Sequence, residues 1–84
     1  NGFSPNGDGA NDLFFVRGTG IGTLDLQVYN RWGQLVFSTN DQTIGWDGSH
    51  NGKELNSDVF VYKCDVVLKN GKELRFQGNV TLFK

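Results

Sequence analysis

The stretch TLDLQVYNRWGQLVFS, residues 23–38, contains two strand patterns joined by a turn. Apolar and polar side chains alternate in residues 23–29, which is the two-residue period of a strand with one buried face. Residues 34–38 form a second apolar run of strand length. Between them, Asn30-Arg31-Trp32-Gly33 predicts a four-residue hairpin loop in which Gly33 needs a positive φ angle. The stretch therefore predicts an antiparallel pair of strands.

A second hairpin is predicted further along the sequence. Residues 59–68 form the longest strand candidate, and the apolar residues on both faces of its start favour a central position in the sheet. Lys69-Asn70-Gly71-Lys72 follows, and its Asn-Gly pair is typical of a type I′ turn. Residues 73–77 and 79–83 then return antiparallel, with Gly78 marking a bulge or bend between them.

Two further short strands are predicted at residues 13–16 and 44–46. No segment shows the apolar spacing of an amphipathic helix. Short strands separated by glycine-rich turns predict an all-β fold, an immunoglobulin-like antiparallel β-sandwich of about seven short strands.

Length and composition restrict the classes of function. The 84 residues suit one domain, residues 1–84, and the opening at Asn1 within a motif suggests a piece of a longer protein. The formal net charge of −1, without a basic stripe, argues against nucleic-acid binding. No apolar run approaches the roughly 18 residues of a membrane span. The single cysteine, Cys64, precludes an intrachain disulfide and is expected to fill space in a strand as a small apolar residue.

The residues needed for catalysis are mostly missing. His50 is the only histidine, and its glycine-rich surroundings predict a solvated loop position rather than an orienting base. The sequence contains no Walker loop, zinc spacing or dinucleotide fingerprint. We therefore expect a protein that is not an enzyme.

The segment SPNGDGAND, residues 4–12, is rich in side-chain oxygens. Alignment with the EF-hand loop fails, because Phe15 stands where a bidentate glutamate is needed. Two interpretations stay open: a tight turn capped by its own side chains, which we favour, or a different calcium site. The candidate calcium ligands are Asn6, Asp8, Asn11 and Asp12.

Trp32 at the predicted hairpin tip also has two interpretations. Its ring could stack on a sugar or a partner surface, or it could fold back beside Trp46 to cover one end of the sandwich. We favour the packing interpretation.

Four groups of motifs follow one another along almost the whole chain. They are FSPNGDG with NDLF (residues 3–9 and 11–14), YNRWG with VF (29–33 and 36–37), WDG with NG (46–48 and 51–52), and VFVY with GNVTL (59–62 and 78–82). In this order they resemble the gliding-motility-associated C-terminal domain. Many members have glycine where this chain has Asp58, and aspartate tolerates unusual backbone geometry better than most residues.

The resemblance implies a type B sorting signal for the type IX secretion system of the Bacteroidetes. Parent proteins of the family, which include surface adhesins linked to gliding, pass through the periplasm and are exported across the outer membrane. The expected partners are translocon or shuttle components of that system, and the domain is expected to be monomeric in isolation.

Recognition is expected on a surface that combines the hairpin tip, the loop at residues 6–12 or an exposed sheet edge. The candidate recognition residues are Asn30, Arg31, Trp32, Gly33, Trp46 and Asp47. The alternative is a calcium-dependent adhesive or carbohydrate-binding module of the cell surface.

Overall fold

The computed structural model describes residues 2–3 and 19–83 of the chain. Within them there are seven strands and no helix. The strands are β1 (Gly2–Phe3), β2 (Ile21–Tyr29), β3 (Leu35–Thr39), β4 (Ser49–His50), β5 (Lys53–Glu54), β6 (Asp58–Leu68) and β7 (Glu73–Leu82). The predicted strand at residues 13–16 and the candidate calcium ligands Asn6, Asp8, Asn11 and Asp12 lie outside the described residues.

Five of these strands form one sheet in the order β1-β7-β6-β2-β3. All neighbours are antiparallel except β1, which runs parallel to β7. β6 is central, as the sequence predicted, and β4 and β5 form a separate two-stranded hairpin. The all-β class is confirmed, and the arrangement is consistent with an immunoglobulin-like sandwich.

One face of the sheet carries the hydrophobic core in two clusters. The first surrounds Trp46 and the second joins β2 to β6. The members are Val28, Val36, Trp46, Phe60, Val80 and Leu82 in the first cluster, and Leu24, Leu26, Cys64 and Val66 in the second. Cys64 is buried among apolar neighbours, as expected of a small filler, and burial raises the pKa of its thiol, with smaller contributions from Asp65 and Asp25.

The type I′ turn predicted at Asn70-Gly71 is wrong. Gly71 has a φ of 88°, but Asn70 lacks the positive φ that a type I′ turn also requires. The N–H of Gly71 donates to the carbonyl of Leu68 at 2.8 Å, and the N–H of Leu68 donates to Lys72 at 2.8 Å. This is a three-residue loop in which a type I turn is followed by a left-handed glycine.

The loop between β2 and β3 has the same backbone and is one residue shorter than predicted. Gly33 has the expected positive φ, 82°, and its N–H donates to Asn30 at 3.0 Å. The N–H of Asn30 donates to Gln34 at 2.9 Å, so Asn30 belongs to the closing pair rather than to the loop. The two long hairpins of the sheet therefore end in equivalent turns.

Two smaller predictions also need correction. Only Trp46 of the predicted strand at residues 44–46 makes a bridge. Gly78 causes no bulge, since the register of β6 and β7 is continuous through its pairing with Tyr62. A Cβ at Gly78 would lie 2.9 Å from the Tyr62 hydroxyl and 3.0–3.1 Å from its ring, so glycine makes room for this aromatic ring.

Candidate functional site

Asn30 fixes the shape of the loop between β2 and β3. Its Oδ1 accepts hydrogen bonds from the backbone N–H groups of Trp32 and Gln34, both at 2.9 Å. Its Nδ2 donates to Oε1 of Gln34 at 3.1 Å. Asparagine at this position thus stabilises the turn, which leaves the side chains of Arg31 and Trp32 without a role in the turn backbone.

Arg31 ties this loop to the first residue of β6. Its Nη2 donates to Oδ1 of Asp58 at 2.7 Å, across 27 positions of sequence. The same carboxylate oxygen accepts the N–H of Val59 at 2.8 Å. The hydrogen bond from Arg31 lowers the pKa of Asp58, with a smaller contribution from the Val59 N–H, while the Asp58 carboxylate raises the pKa of Arg31.

The structure explains why this chain can have Asp58 where many members of the family that it resembles have glycine. The φ of Asp58 is not positive, so the position does not need the geometry of a glycine. The aspartate serves instead as the anchor for Arg31. Sequence reasoning missed this role, and the one available signal was that departure from glycine.

The two tryptophans have opposite environments. Trp32 is 83% exposed, so the favoured interpretation, packing over an end of the sandwich, is wrong. Trp46 is fully buried, with its ring edge-to-face on Phe60 at 4.9 Å and its Nε1 donating to the carbonyl of Ser49 at 2.9 Å. Trp46 therefore fills the core with a satisfied N–H group, whereas the turn presents Trp32 to solvent.

The Trp46-Asp47-Gly48 motif is a structural unit in this fold. Oδ1 of Asp47 accepts the backbone N–H of Ser49 at 3.0 Å and also the Ser49 hydroxyl. Gly48 has a φ of 84°, which favours glycine. Because Trp46 is fully buried, it cannot contact a partner directly. It contributes to a binding surface only by supporting that surface from the core. Trp46 and Asp47 therefore have structural roles, whereas Trp32 is exposed, although the sequence analysis named all three as candidate recognition residues.

A shallow groove of about 220 Å³ lies between the Arg31–Gly33 loop and the segment that leads into β6. The buried side chains of Val36 and Phe60 contribute apolar surface, while amide, imidazole and charged groups supply the remainder. The lining residues are Asn30, Arg31, Trp32, Gln34, Val36, His50, Leu55, Asn56, Asp58 and Phe60. Apolar floors with a few polar groups are typical of binding sites.

His50 lies in β4 and is half-buried, so the predicted solvated loop position is wrong. Its Nδ1 is 3.2 Å from the carbonyl oxygen of Val36, and its Nε2 is 3.3 Å from Nδ2 of Asn51. A carbonyl oxygen only accepts hydrogen bonds, so Nδ1 is the donor in this contact. The Nδ1 contact therefore holds the hairpin β4–β5 against β3, whereas the Nε2 contact lies within the hairpin. The groove's lining contains no serine, threonine or cysteine that His50 could activate.

Residues 2–3 and 19–83 contain no group of three or more histidine, cysteine, aspartate or glutamate side chains placed to hold a metal ion. The same residues include no helix of the length and apolarity needed to cross a membrane.

The molecule is a small all-β domain with a shallow groove beside an exposed tryptophan. Residues 1–82 match the family model described as the CHU_C type IX secretion signal domain, so the chain belongs to this family. A search of the curated proteins finds no match. Among solved structures, the crystal structure of CopC from Methylosinus trichosporium OB3b is similar, with a TM-score of 0.56 and 18% sequence identity. That likeness covers 77% of this chain and 68% of CopC, and it shows the fold alone.

Family membership confirms the resemblance seen in the sequence and establishes the general function. The chain is a sorting signal for type IX secretion, and the adhesive or carbohydrate-binding alternative is not favoured. The family is one of signals rather than of enzymes, and it implies an interaction with the secretion machinery. It also implies export through the outer membrane to the cell surface or the extracellular space.

Proposed function

We propose that the secretion machinery recognises this signal at the groove, with Trp32 and Arg31 as the principal contacts and Asn30 and Gly33 as the residues that orient them. The partner is a translocon or shuttle component at the outer membrane, and the parent protein meets it while passing through the periplasm. The observation that carries the proposal is the 83% exposure of Trp32 on a loop whose backbone does not require it.

The chemistry of the loop supports this proposal. Tryptophan and arginine are enriched among the residues that dominate binding energy at protein interfaces. Within the described chain, Asp58 is the single acceptor for Arg31, so further N–H donors of the guanidinium fork are available to a partner. The ion pair at the same time holds Arg31 in one orientation, which lowers the entropy cost of binding.

The proposed site also depends on folding. Its residues come from the β2–β3 loop, the segment around β4 and β5, and the start of β6. An unfolded chain does not bring these segments together. The machinery would therefore bind a parent protein only after its signal domain has folded in the periplasm.

The test is secretion of a reporter that carries the full 84-residue chain at its C-terminus, in a host with a working type IX system. Trp32→Ala and Arg31→Ala are each expected to reduce the secreted fraction roughly tenfold or more, the effect of losing a dominant contact. Lys69→Ala is the matched control, because Lys69 occupies in the second turn the position that Arg31 occupies in the first. Circular dichroism and melting temperature verify the fold of each variant. Normal secretion of both folded loop variants contradicts the proposal.

Calcium binding by Asn6, Asp8, Asn11 and Asp12 stays a prediction from the sequence. In that proposal the ion stiffens the loop for presentation. Calorimetric titration of the chain and of its Asp8→Ala variant is the measurement, and the absence of heat at millimolar calcium excludes the site.

A further inference from the structure

Large apolar side chains are unevenly distributed over the surface of the described residues. Seven are exposed there, and five of them lie at one end of the sheet, while the other two, Ile44 and Phe76, lie elsewhere. We call these five residues the apolar end: Trp32, Leu35, Val59, Val61 and Phe83, with exposures of 83%, 43%, 46%, 40% and 54%.

Strand register places the apolar end. Leu35 pairs with Tyr29 and Tyr29 pairs with Val61, so these three form a row across the sheet on the face opposite the core. Val59 lies two residues nearer the end of the same face.

The remaining members lie beside this row. Asp58, next to Val59, holds Arg31, and Arg31 is followed by Trp32. Phe83 follows Leu82, the partner of Asp58 in the register. The five side chains thus share one end of the sheet with the groove.

The same face becomes charged only further along the strands. Lys63 pairs with Gln27 in the row after Val61, and Asp65 stands between Asp25 and Arg75 in the next row. Asp58 belongs to the opposite, core face, where it pairs with Leu82, and its charge is neutralised there by Arg31 at 2.7 Å. The charge that reaches the apolar row is that of Lys63, whose Nζ lies 5.8 Å from the centroid of the Tyr29 ring. One face of the sheet therefore changes from apolar to charged over a few residues.

We infer that the apolar end docks, around Trp32, on an uncharged apolar surface of a protein in the secretion machinery. This inference rests on the proposed function and adds Leu35, Val59, Val61 and Phe83 to the contact. Interface centres are depleted of charged residues and enriched in aromatic residues and arginine, which is the composition found here. A charged partner surface would lose its hydration against these side chains without gaining an opposite charge.

A protein is the occupant that the charges favour over a lipid surface. Anionic membranes attract clusters of four or more lysine and arginine residues. Among the described residues, this end has Arg31, paired with Asp58, and Lys63, whose Nζ lies over the Tyr29 ring. Binding between apolar surfaces is weakly screened by salt, so the affinity of this contact is expected to change little between low and high salt.

The first experiment uses the secreted reporter with the double substitution Val59→Thr and Val61→Thr. Threonine keeps the branched shape and strand propensity but places a hydroxyl in the contact, so secretion is expected to fall about tenfold. The matched control is Gln77→Thr, at an exposed position of β7 in the charged half of the same face. Normal secretion of the double variant, together with loss of secretion in Trp32→Ala, overturns this inference and leaves the proposed function intact. Loss in the double variant with normal secretion of Trp32→Ala overturns the proposed function.

The second experiment identifies the occupant with a photo-crosslinking amino acid at Phe83 or at Gln77, in cells that secrete the reporter. A crosslink from position 83 to a component of the secretion machinery, absent from position 77, supports the inference. A crosslink to a second copy of the chain, or flotation of the purified domain with phosphatidylcholine–phosphatidylglycerol vesicles, overturns it in favour of self-association or a lipid surface. Equal crosslinking from both positions also contradicts it.

Discussion

The two long hairpins of the sheet end in turns with the same backbone and different side chains. In each, a glycine with positive φ donates its N–H to the residue three positions earlier, and the flanking pair closes the loop. Gly33 and Gly71 have φ angles of 82° and 88°. The loop residues are Arg31-Trp32-Gly33 in the first turn and Lys69-Asn70-Gly71 in the second.

The difference separates folding from recognition. The second turn shows that lysine and asparagine are sufficient to close this kind of loop, so Arg31 and Trp32 are not required by the backbone. The turns also lie at opposite ends of the sheet, because β2 ends where β6 begins and β6 ends at the second turn. Only the first turn lies at the apolar end. We therefore propose that one end of the domain makes the contact with a partner and that the other end faces solvent.

The largest effect is expected at Trp46, the buried one of the two tryptophans. Trp46→Ala removes a fully buried ring that contacts Phe60, and large-to-small substitutions of this kind cost about 3–5 kcal/mol. Trp32→Ala is expected to change the free energy of unfolding by about 0.5 kcal/mol or less. Urea denaturation of both variants measures the contrast. Similar losses for the two tryptophans would mean that Trp32 packs in the folded protein.

An exchange of the turns tests the comparison directly. Arg31→Lys with Trp32→Asn gives the first hairpin the loop of the second, and we expect an unchanged fold with secretion reduced roughly tenfold or more. Adding Lys69→Arg and Asn70→Trp to that variant moves the original loop to the opposite end of the sheet. Secretion is not expected to return, because the apolar end does not move with the loop. Recovery of secretion would show that the loop alone is the signal.

The strands of the two hairpins could be predicted from the sequence, but the type of their turns could not. The bounds of β2, β3, β6 and β7 agree with the prediction within two residues, because alternating burial leaves a period that a short chain displays clearly. The type of turn is less readable. An Asn-Gly pair fits both a two-residue and a three-residue loop, and the register of the flanking strands selects between them.

The candidate site was less predictable than the fold for a physical reason. Trp32 and Trp46 both lie just before a turn that contains a glycine, Gly33 or Gly48. Only tertiary packing decides which ring enters the core. The contact between Arg31 and Asp58 joins residues 27 positions apart, and no local pattern signals it. The proposed recognition residues were partly predictable. Trp32 is costly to leave in solvent, whereas Val59 and Val61 resemble ordinary strand residues.

A smaller effect tests whether the two backbones are equivalent. Gly33→Ala and Gly71→Ala each place a Cβ in a left-handed conformation, which costs about 1–2 kcal/mol. Apart from the glycine and its two chain neighbours, no atom lies within 4 Å of the added Cβ at either position, so the local backbone sets the cost. The two losses are expected to agree within about 0.5 kcal/mol in chemical denaturation. A larger gap would show that side chains of one loop add strain or support that the other lacks.

The smallest effect concerns the ion pair that exists at the first hairpin. Arg31 lowers the pKa of Asp58 in the folded state, so the contribution of this pair to stability is present above the ordinary value of 3.8 and disappears as the pH falls through the lower folded value. Both groups are open to solvent, and salt screens such pairs, so a small difference in melting temperature is expected between the wild type and Asp58→Asn at neutral pH. That difference should vanish in acid and shrink at 1 M salt. Lys69→Ala, at the second turn, should show no such pH dependence. A difference that persists at pH 2 would mean that Asp58 acts through its hydrogen bond to the Val59 N–H rather than through its charge, and that the two hairpins differ in local geometry as well as in surface.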